Sequence, residues 1–203
     1  MFHYPREVWY KVTIIPRGGR PAMRRAITLF CLFAAVSVIS LARPAFALFD
    51  GGGGIKEGAP APMFSGMTID NQKIDFAQLK GKKVVILDFW SIYCASCIEE
   101  MPRLIEIHNE FSKKGLVVIG VNLDSFGTHR VVKFMQGMEN KINFPVVIDK
   151  TRQIATSFNA MVLPTTLVID VSGKIRFYHV GYKPGDEKQL RAIVTQAIKE
   201  IRK

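Results

Sequence analysis

Two cysteines separated by two residues, Cys94 and Cys97, are the part of this sequence with the clearest chemical meaning. The apolar, β-branched run 84–89 precedes them and predicts a buried strand, and a helical pattern starts at Cys97. Two thiols in the first turn of a helix lie on one face, close enough to form a disulfide. The free N–H groups and the dipole of a helix N-terminus favour the thiolate, which is the form that attacks disulfides. The pair therefore predicts a site of dithiol–disulfide exchange.

The elements that must position this pair alternate between strands and helices. Leu104, Ile107 and Phe111 recur at helical spacing, and Gly115 is a typical stop for the helix that they predict. The predicted elements are a hairpin of 64–68 and 72–74, a helical turn at 76–79, a strand at 84–89, a helix at 97–113, a strand at 116–122, a helix at 129–137, strands at 144–148, 165–169 and 174–180, and a helix at 187–201. This order predicts an α/β domain in which helices cover both faces of a mixed central sheet.

The amino terminus, residues 1–47, has the pattern of a secretory signal peptide. Two arginines follow Met23, residues 26–41 are mostly apolar, and small residues alternate up to Ala47, after which we expect cleavage. The apolar run is shorter than the roughly 20 residues that span a bilayer, and an uncleaved membrane anchor is the alternative. Residues 1–22 fit no leader pattern, so we expect translation to begin at Met23. The sequence therefore predicts export to the periplasm or another extracytoplasmic space.

The chain after the leader divides into a linker and one domain. Residues 48–62 are rich in glycine and proline and predict a flexible linker, and residues 63–203 form the domain. The net charge of the whole chain is +11, but residues 1–47 hold seven basic residues and one acidic residue, so residues 48–203 carry 21 against 16, or +5. The basic residues are scattered and lack interleaved aromatic residues, which argues against a nucleic-acid partner. We expect a monomer.

Export would leave a single pair of thiols. Cys31 lies within the apolar part of the leader, so its removal leaves Cys94 and Cys97. A disulfide that closes so short a loop restrains the unfolded chain very little, and it therefore suits chemistry better than stability. A zinc site would require a second pair of ligands, which this pair lacks. We predict no metal and no cofactor.

The motifs around the cysteines resemble those of the thioredoxin superfamily. The pattern Trp-x-x-x-Cys-x-x-Cys lies between a strand and a helix, and Leu163-Pro164-Thr165-Thr166 follows later in the chain. The opening hairpin, the Cys-x-x-Cys-x-x-Glu-x-Pro run and an insertion between residues 122 and 145 are similar to those of the TlpA/ResA-type thiol:disulfide oxidoreductases. The resemblance covers about residues 63–202 and implies a thioredoxin-like fold.

The resemblance implies a role for each side chain near the dithiol. Cys94 would be the nucleophile, and Cys97 would resolve the mixed disulfide. Glu100 matches an acidic residue that this branch carries near its dithiol, where it would relay protons, and an ordinary acid of the first helical turn is the alternative. Asp88 matches the buried aspartate of ordinary thioredoxins, where many TlpA/ResA-type members carry Asn. A carboxyl group in an apolar strand should have a raised pKa.

The resemblance also implies a substrate groove opposite the dithiol. Pro164 matches a proline with a cis peptide bond, and the backbone of Leu163 would pair with a substrate peptide. Trp90 and Tyr93 are predicted to flank the groove and to contact the substrate, and a packing role is an equal alternative for Trp90. Val162 stands where the family often has Gly, and this difference affects the predicted shape of the groove.

The predicted function is an exported reductase of protein disulfides. By resemblance, its substrates include the Cys-x-x-Cys-His segment of apocytochrome c during cytochrome c maturation, and a membrane thiol–electron donor restores its dithiol. An oxidising role is an alternative, because the residues between the cysteines leave the potential open. A peroxiredoxin-like peroxidase and a copper-binding chaperone are two rival functions, and the chaperone would take a third ligand from His108, His129 or His179.

Overall fold

The computed structural model describes residues 54–201 of the chain. The predicted signal peptide, the predicted start at Met23 and the first part of the predicted linker lie outside the described residues. In the part that is described, no helix is both long and apolar enough to cross a membrane.

Between residues 54 and 201, seven strands and five helices follow one another in an order close to the predicted one. They are β1 (Ser65–Met67), β2 (Lys73–Asp75), α1 (Phe76–Leu79), β3 (Val84–Trp90), α2 (Ala95–Phe111), β4 (Leu116–Asn122), α3 (Thr128–Gly137), β5 (Val146–Ile148), α4 (Gln153–Ser157), β6 (Thr165–Ile169), β7 (Ile175–Val180) and α5 (Asp186–Ile201). A short 3-10 turn, Ser112–Lys114, ends α2 at Gly115, whose φ of 113° is left-handed. A side chain at position 115 would also crowd Ile201, so the structure explains why glycine stops the helix there.

Five of the strands form the central sheet, in the order β5-β4-β3-β6-β7. β3 pairs with β4 in parallel and with β6 antiparallel; β4 pairs with β5 in parallel, and β6 with β7 antiparallel. β1 and β2 form a separate antiparallel hairpin before the sheet. The predicted mixed sheet, the hairpin and the helix of the insertion between residues 122 and 145 are all confirmed.

The central strand β3 supplies side chains to two cores, one on each face of the sheet. Val84, Ile86 and Trp90 pack with α2 and α5, whereas Val85, Leu87 and Phe89 pack with the hairpin, α1 and α4. Because side chains alternate along a strand, Asp88 belongs to the same face as Ile86 and Trp90. This carboxyl group therefore points toward the face that α2 covers.

Helix α4 (Gln153–Ser157) was not predicted. It is only five residues long, too short for helical periodicity, and Arg152 before it adopts a left-handed φ of 57°. Contacts from outside the helix hold it, since the buried Asp149 carboxylate accepts a hydrogen bond from Ala155 N–H at 2.8 Å, and Phe158 packs in the second core.

Part of the predicted flexible linker is integrated into the domain. The N–H groups of Gly58 and Ala61 donate to carbonyl groups of Ile175 and Gly173, at 2.7 and 2.8 Å, and Ala61 is buried. Backbone pairing with the start of β7 therefore orders this segment, which composition alone does not indicate.

Candidate active site

The dithiol lies where β3 passes into α2, and the structure contains it as the disulfide Cys94–Cys97. Cys94 is the N-cap of α2, and its Sγ accepts a hydrogen bond from Cys97 N–H at 3.2 Å. Cys94 is half-buried, whereas Cys97 is only 1% exposed. An N-cap sulfur that faces a helix N–H is stabilised as a thiolate, and only Cys94 is open to a large disulfide.

A buried carboxylate holds the loop in front of Cys94. Asp124 accepts hydrogen bonds from Ser91 Oγ at 2.6 Å, from Ile92 N–H at 3.0 Å and from the Asn122 side-chain amide at 2.7 Å. Ser91 Oγ in turn accepts a hydrogen bond from Tyr93 N–H at 3.1 Å. Asp124 was not predicted as a site residue. Its position just after β4 was the available signal, because the ends of neighbouring parallel strands meet at one edge of a sheet.

Two buried carboxyl groups, Asp88 and Glu100, share one hydroxyl group behind the dithiol. Thr166 Oγ1 lies 3.0 Å from Glu100 Oε1 and 3.5 Å from Asp88 Oδ1. Glu100 comes one helical turn after Cys97, so both project from the same face of α2. The other oxygen of Glu100, Oε2, is buried without a hydrogen-bond partner. A single hydroxyl proton cannot satisfy two carboxylates, so this arrangement favours a protonated carboxyl group.

The environment of this carboxyl pair raises the pKa of both groups. Burial raises the pKa of Asp88 well above its usual value, and the charge of Glu100 raises it further, against the hydrogen bond from Thr166. Burial raises the pKa of Glu100 to about 7, against the same hydrogen bond and with a smaller contribution from the charge of Asp186. The predicted rise in the Asp88 pKa agrees with these directions.

The peptide bond between Leu163 and Pro164 is cis. Phe89 pairs with Thr165 across β3 and β6, so Pro164 lies at the same end of the sheet as the loop that leads to Cys94. Pro164 is buried and Leu163 is half-buried, whereas Met161 and Val162 before them are exposed. The exposed residues before Leu163 therefore lie at the end of the sheet where the dithiol also lies.

The two predicted flanking aromatic residues differ in exposure. Trp90 is fully buried in the core beside Gly120, where an added Cβ would lie 3.0 Å from its indole nitrogen. Of the two roles left open for Trp90, this burial supports packing. Tyr93 is 65% exposed and packs edge-to-face against Phe126, which is 68% exposed and which the sequence patterns did not single out.

The three histidines considered as metal ligands lie apart. The ring of His108 packs against Phe144, His129 is exposed on α3, and His179 Nε2 lies 3.1 Å from a carboxylate oxygen of Asp186. Within residues 54–201, no three His, Cys, Asp or Glu side chains are grouped so that they could hold a metal ion.

Comparisons with known proteins agree with this geometry. Residues 58–178 match the AhpC/TSA family. The thioredoxin-like protein YneN of Bacillus subtilis is 38% identical over 130 residues, which cover 63% of this chain and 74% of that protein. The thiol-disulfide oxidoreductase ResA of the same organism is 33% identical over 131 residues, which cover 64% and 70%.

Solved structures also match the described fold. A putative thiol:disulfide interchange protein DsbE from Chlorobium tepidum has a TM-score of 0.65 and 28% identity, with 71% of this chain and 99% of that chain covered. StoA from Bacillus subtilis has a TM-score of 0.56 and 25% identity, with 66% and 97% covered.

A thioredoxin-like fold with a cysteine pair at the start of α2 defines the class of this protein, which is a thiol:disulfide oxidoreductase of the ResA/DsbE type. The matched region spans more than half of the sequence. The chain belongs to the AhpC/TSA family.

Proposed function

We propose that this protein is an exported reductase of protein disulfides, in which Cys94 attacks and Cys97 resolves. The observation that carries the proposal is the unequal burial of the pair, since Cys94 is half-buried at the helix N-cap and Cys97 is 1% exposed. A substrate disulfide can reach Cys94, whereas Cys97 can reach only the sulfur of Cys94.

The reaction transfers two electrons from the dithiol to the substrate. The Cys94 thiolate attacks one sulfur of the substrate disulfide, forms a mixed disulfide and releases the other substrate sulfur as a thiolate. Cys97 loses its proton and attacks Cys94 Sγ, so that the Cys94–Cys97 disulfide forms and the second substrate thiolate leaves. The substrate thiolates take up protons, and a thiol–electron donor at the membrane restores the dithiol.

Asp88 and Glu100 supply the base for the second step. Cys97 is surrounded by apolar side chains of the first core, where a thiolate is costly, so its proton needs a nearby acceptor. Glu100 lies one turn away on α2, and its pKa of about 7 allows it both to accept and to release a proton near neutral pH.

The substrate is proposed to be an extended protein segment that contains a disulfide. The backbone around Leu163 would pair with it, and the exposed rings of Tyr93 and Phe126 offer an apolar contact beside Cys94. The resemblance to TlpA/ResA-type proteins favours the Cys-x-x-Cys-His segment of apocytochrome c. Export is supported by the leader pattern of residues 1–47.

A trapping experiment tests the order of attack. Residues 48–203 with Cys97→Ser, mixed with an oxidised Cys-x-x-Cys-His peptide, should accumulate a mixed disulfide whose mass equals the sum of protein and peptide. The Cys94→Ser variant is the matched control and should accumulate little of it. More adduct on Cys97 than on Cys94 would contradict the proposed roles.

The reduction potential of the Cys94–Cys97 couple tests the direction of exchange. We expect a value below about −220 mV in equilibrium with glutathione or dithiothreitol buffers, as for thioredoxin-type reductants. A value above about −150 mV would instead make the protein a disulfide donor. Rapid peroxide consumption by Cys97→Ser would indicate a peroxidase.

A further inference from the structure

A hydrogen-bonded histidine–aspartate pair lies next to the buried carboxyl pair and has no part in the exchange described above. His179, on β7, lies with Nε2 3.1 Å from Oδ2 of Asp186, the first residue of α5. The same carboxylate oxygen accepts a hydrogen bond from Lys183 N–H at 3.0 Å. The side chains of His179 and Asp186 are 34% and 19% exposed, so the pair is in contact with solvent.

The sheet places this pair directly beside the hydroxyl that joins the carboxyl groups. Thr166 and His179 are opposite one another in the β6–β7 register, and opposite side chains project on the same face of a sheet, about 5 Å apart. Phe177, two residues before His179 and stacked on its ring, packs in the first core with Cys97. Asp186 is close enough to Glu100 for its charge to raise the Glu100 pKa. The histidine–aspartate pair thus lies beside the carboxyl pair and is partly exposed to solvent.

The other ionisable groups near the pair come from the β7–α5 loop, α5, α2 and β3. Lys183 and Tyr182 line a cavity of about 200 Å³ together with His179 and Asp186. The hydroxyl of Tyr182 donates to Glu187 at 3.3 Å, and Arg103 on α2 pairs with Glu106. Asp88 approaches Glu100 from β3. Among the described residues, Asp186 is therefore the charged side chain with which His179 forms a hydrogen bond.

We propose that His179 is a positioning residue that acts through Asp186 and sets how tightly the Asp88–Glu100 pair holds its proton. A protonated His179 neutralises the Asp186 carboxylate, so a negative charge on Glu100 is tolerated. A neutral His179 leaves the Asp186 charge in place, and this charge opposes ionisation of Glu100. The proposal rests on the proposed function, in which the carboxyl pair accepts the proton of Cys97.

The protonation of the Glu100 carboxyl group is what the charge on the histidine–aspartate pair would affect. The pKa of Glu100 is about 7, so a change in the charge beside it changes its protonation near neutral pH. The charge that His179 carries therefore affects how readily the Glu100 carboxyl group loses its proton.

Two substitutions separate this electrostatic role from a structural one, because their expected effects have opposite signs. His179→Asn removes the cation and should raise the titration midpoint of the Glu100 carboxyl by about 0.5 to 1 pH unit. Asp186→Asn removes the anion and should lower that midpoint by a similar amount, while the Asn side chain can still accept from Lys183 N–H. The midpoint is measured by carbon NMR of the labelled glutamate carboxyl groups, assigned by comparison with Glu100→Gln.

His129→Asn is the matched control, since His129 is exposed on α3, and it should leave the midpoint unchanged. The pH midpoint of peptide-disulfide reduction should move in the same two directions as the NMR midpoint. Shifts of the same sign in His179→Asn and Asp186→Asn, or no shift in either, would overturn the proposal. If the Cys97→Ser adduct still forms in that case, the proposed function stands without this coupling. Opposite NMR shifts without any adduct would instead leave the coupling and overturn the function.

Discussion

Buried acidic side chains lie near both ends of β6, and the two clusters differ in how many hydrogen-bond donors surround each carboxyl group. At the far end, the Asp170 carboxylate accepts hydrogen bonds from Ser172 Oγ, Lys174 N–H and Arg176 Nη1 at 2.6, 3.0 and 3.2 Å. Near its start, Thr166 offers one hydroxyl to two carboxyl groups. One site has three donors for one carboxyl group, and the other has one donor for two.

The difference in donors changes the sign of the pKa shift. Burial alone would raise the pKa of Asp170, but the hydrogen bonds and the charge of Arg176 lower it below its usual value. At Asp88 and Glu100 burial dominates, and the pKa of each is raised. A buried acid with a full set of donors acts as a structural anion, whereas one that lacks donors is ready to bind and release a proton.

The largest expected effect comes from removing both carboxyl groups of the cluster that has too few hydrogen-bond donors, Asp88 and Glu100. The Asp88→Asn, Glu100→Gln double variant should reduce a peptide disulfide about 100-fold more slowly at pH 7, because Cys97 loses its proton acceptor. Stopped-flow fluorescence or product mass would measure the rate. Glu99→Gln, which removes an exposed acid on the same helix, should react at the normal rate. Equal rates in the double variant and the wild type would assign the carboxyl pair no role in exchange.

The stability of Glu100→Gln should expose the cost of keeping this acid buried. The Glu100 pKa is raised from 4.5 to about 7. Its contribution to the free energy of unfolding is therefore fully present below pH 4.5, where the buried carboxyl group is neutral, and is lost as the pH rises through 7. A shift of this size corresponds to about 3 kcal/mol. Since a glutamine amide is also costly to bury, we expect Glu100→Gln to be more stable than wild type by about 2 kcal/mol at pH 8.

Urea unfolding at pH 4.5 and pH 8 measures this difference. The advantage of Glu100→Gln over wild type should disappear at pH 4.5, where the wild-type carboxyl group is largely neutral in the folded state and half-neutral in the unfolded state. If Glu100→Gln stabilised the protein equally at both pH values, burial would not raise the pKa of the Glu100 carboxyl group.

Asp170→Asn should have the opposite effect on stability. The Asp170 pKa is lowered, so its contribution is present at neutral pH and is lost as the pH falls below its usual value of 3.8. We expect a loss of about 1.5 kcal/mol in the free energy of unfolding at pH 7, because hydrogen bonds to the neutral amide oxygen of asparagine are weaker than those to a carboxylate. Urea unfolding measures it, with the exposed Asp70→Asn as the control. The folded variant should still reduce disulfides at the wild-type rate, and a slower rate would contradict a purely structural role.

Thr166→Val should have the smallest effect, and it should increase the difference in pKa shift between the Asp88–Glu100 cluster and Asp170. Valine keeps the β-branched shape but removes the hydrogen bond that lowers the pKa of both carboxyl groups. We expect a loss of about 1 kcal/mol in stability and a shift of the pH midpoint of exchange to higher pH. Thr195→Val, which removes a hydroxyl from α5, should leave that midpoint unchanged. A shift to lower pH would mean that Thr166 does not donate to the carboxyl groups.

The sequence by itself determined the order of the elements and the location of the dithiol. The apolar, β-branched run predicted β3, helical spacing predicted α2, and two cysteines at the junction placed the thiols at a helix N-terminus. These features depend on residues only a few positions apart, so local sequence patterns are enough to predict them. Helix α4 was missed because its stability comes from Asp149 and from packing of Phe158 in the core, not from a periodic pattern of its own.

Only the tertiary structure decided which side chains meet around the dithiol. Thr166 is separated by 78 residues from Asp88 and by 66 from Glu100, and Ser91 by 33 from its partner Asp124. Strand register and helix packing create these contacts, and no local pattern encodes them. The same packing decided between the two roles left open for Trp90 by burying it, and it gave Asp170 donors that Asp88 and Glu100 lack. The chemical difference between these acids arises because desolvation and hydrogen bonding depend on the folded surroundings and not on residue type.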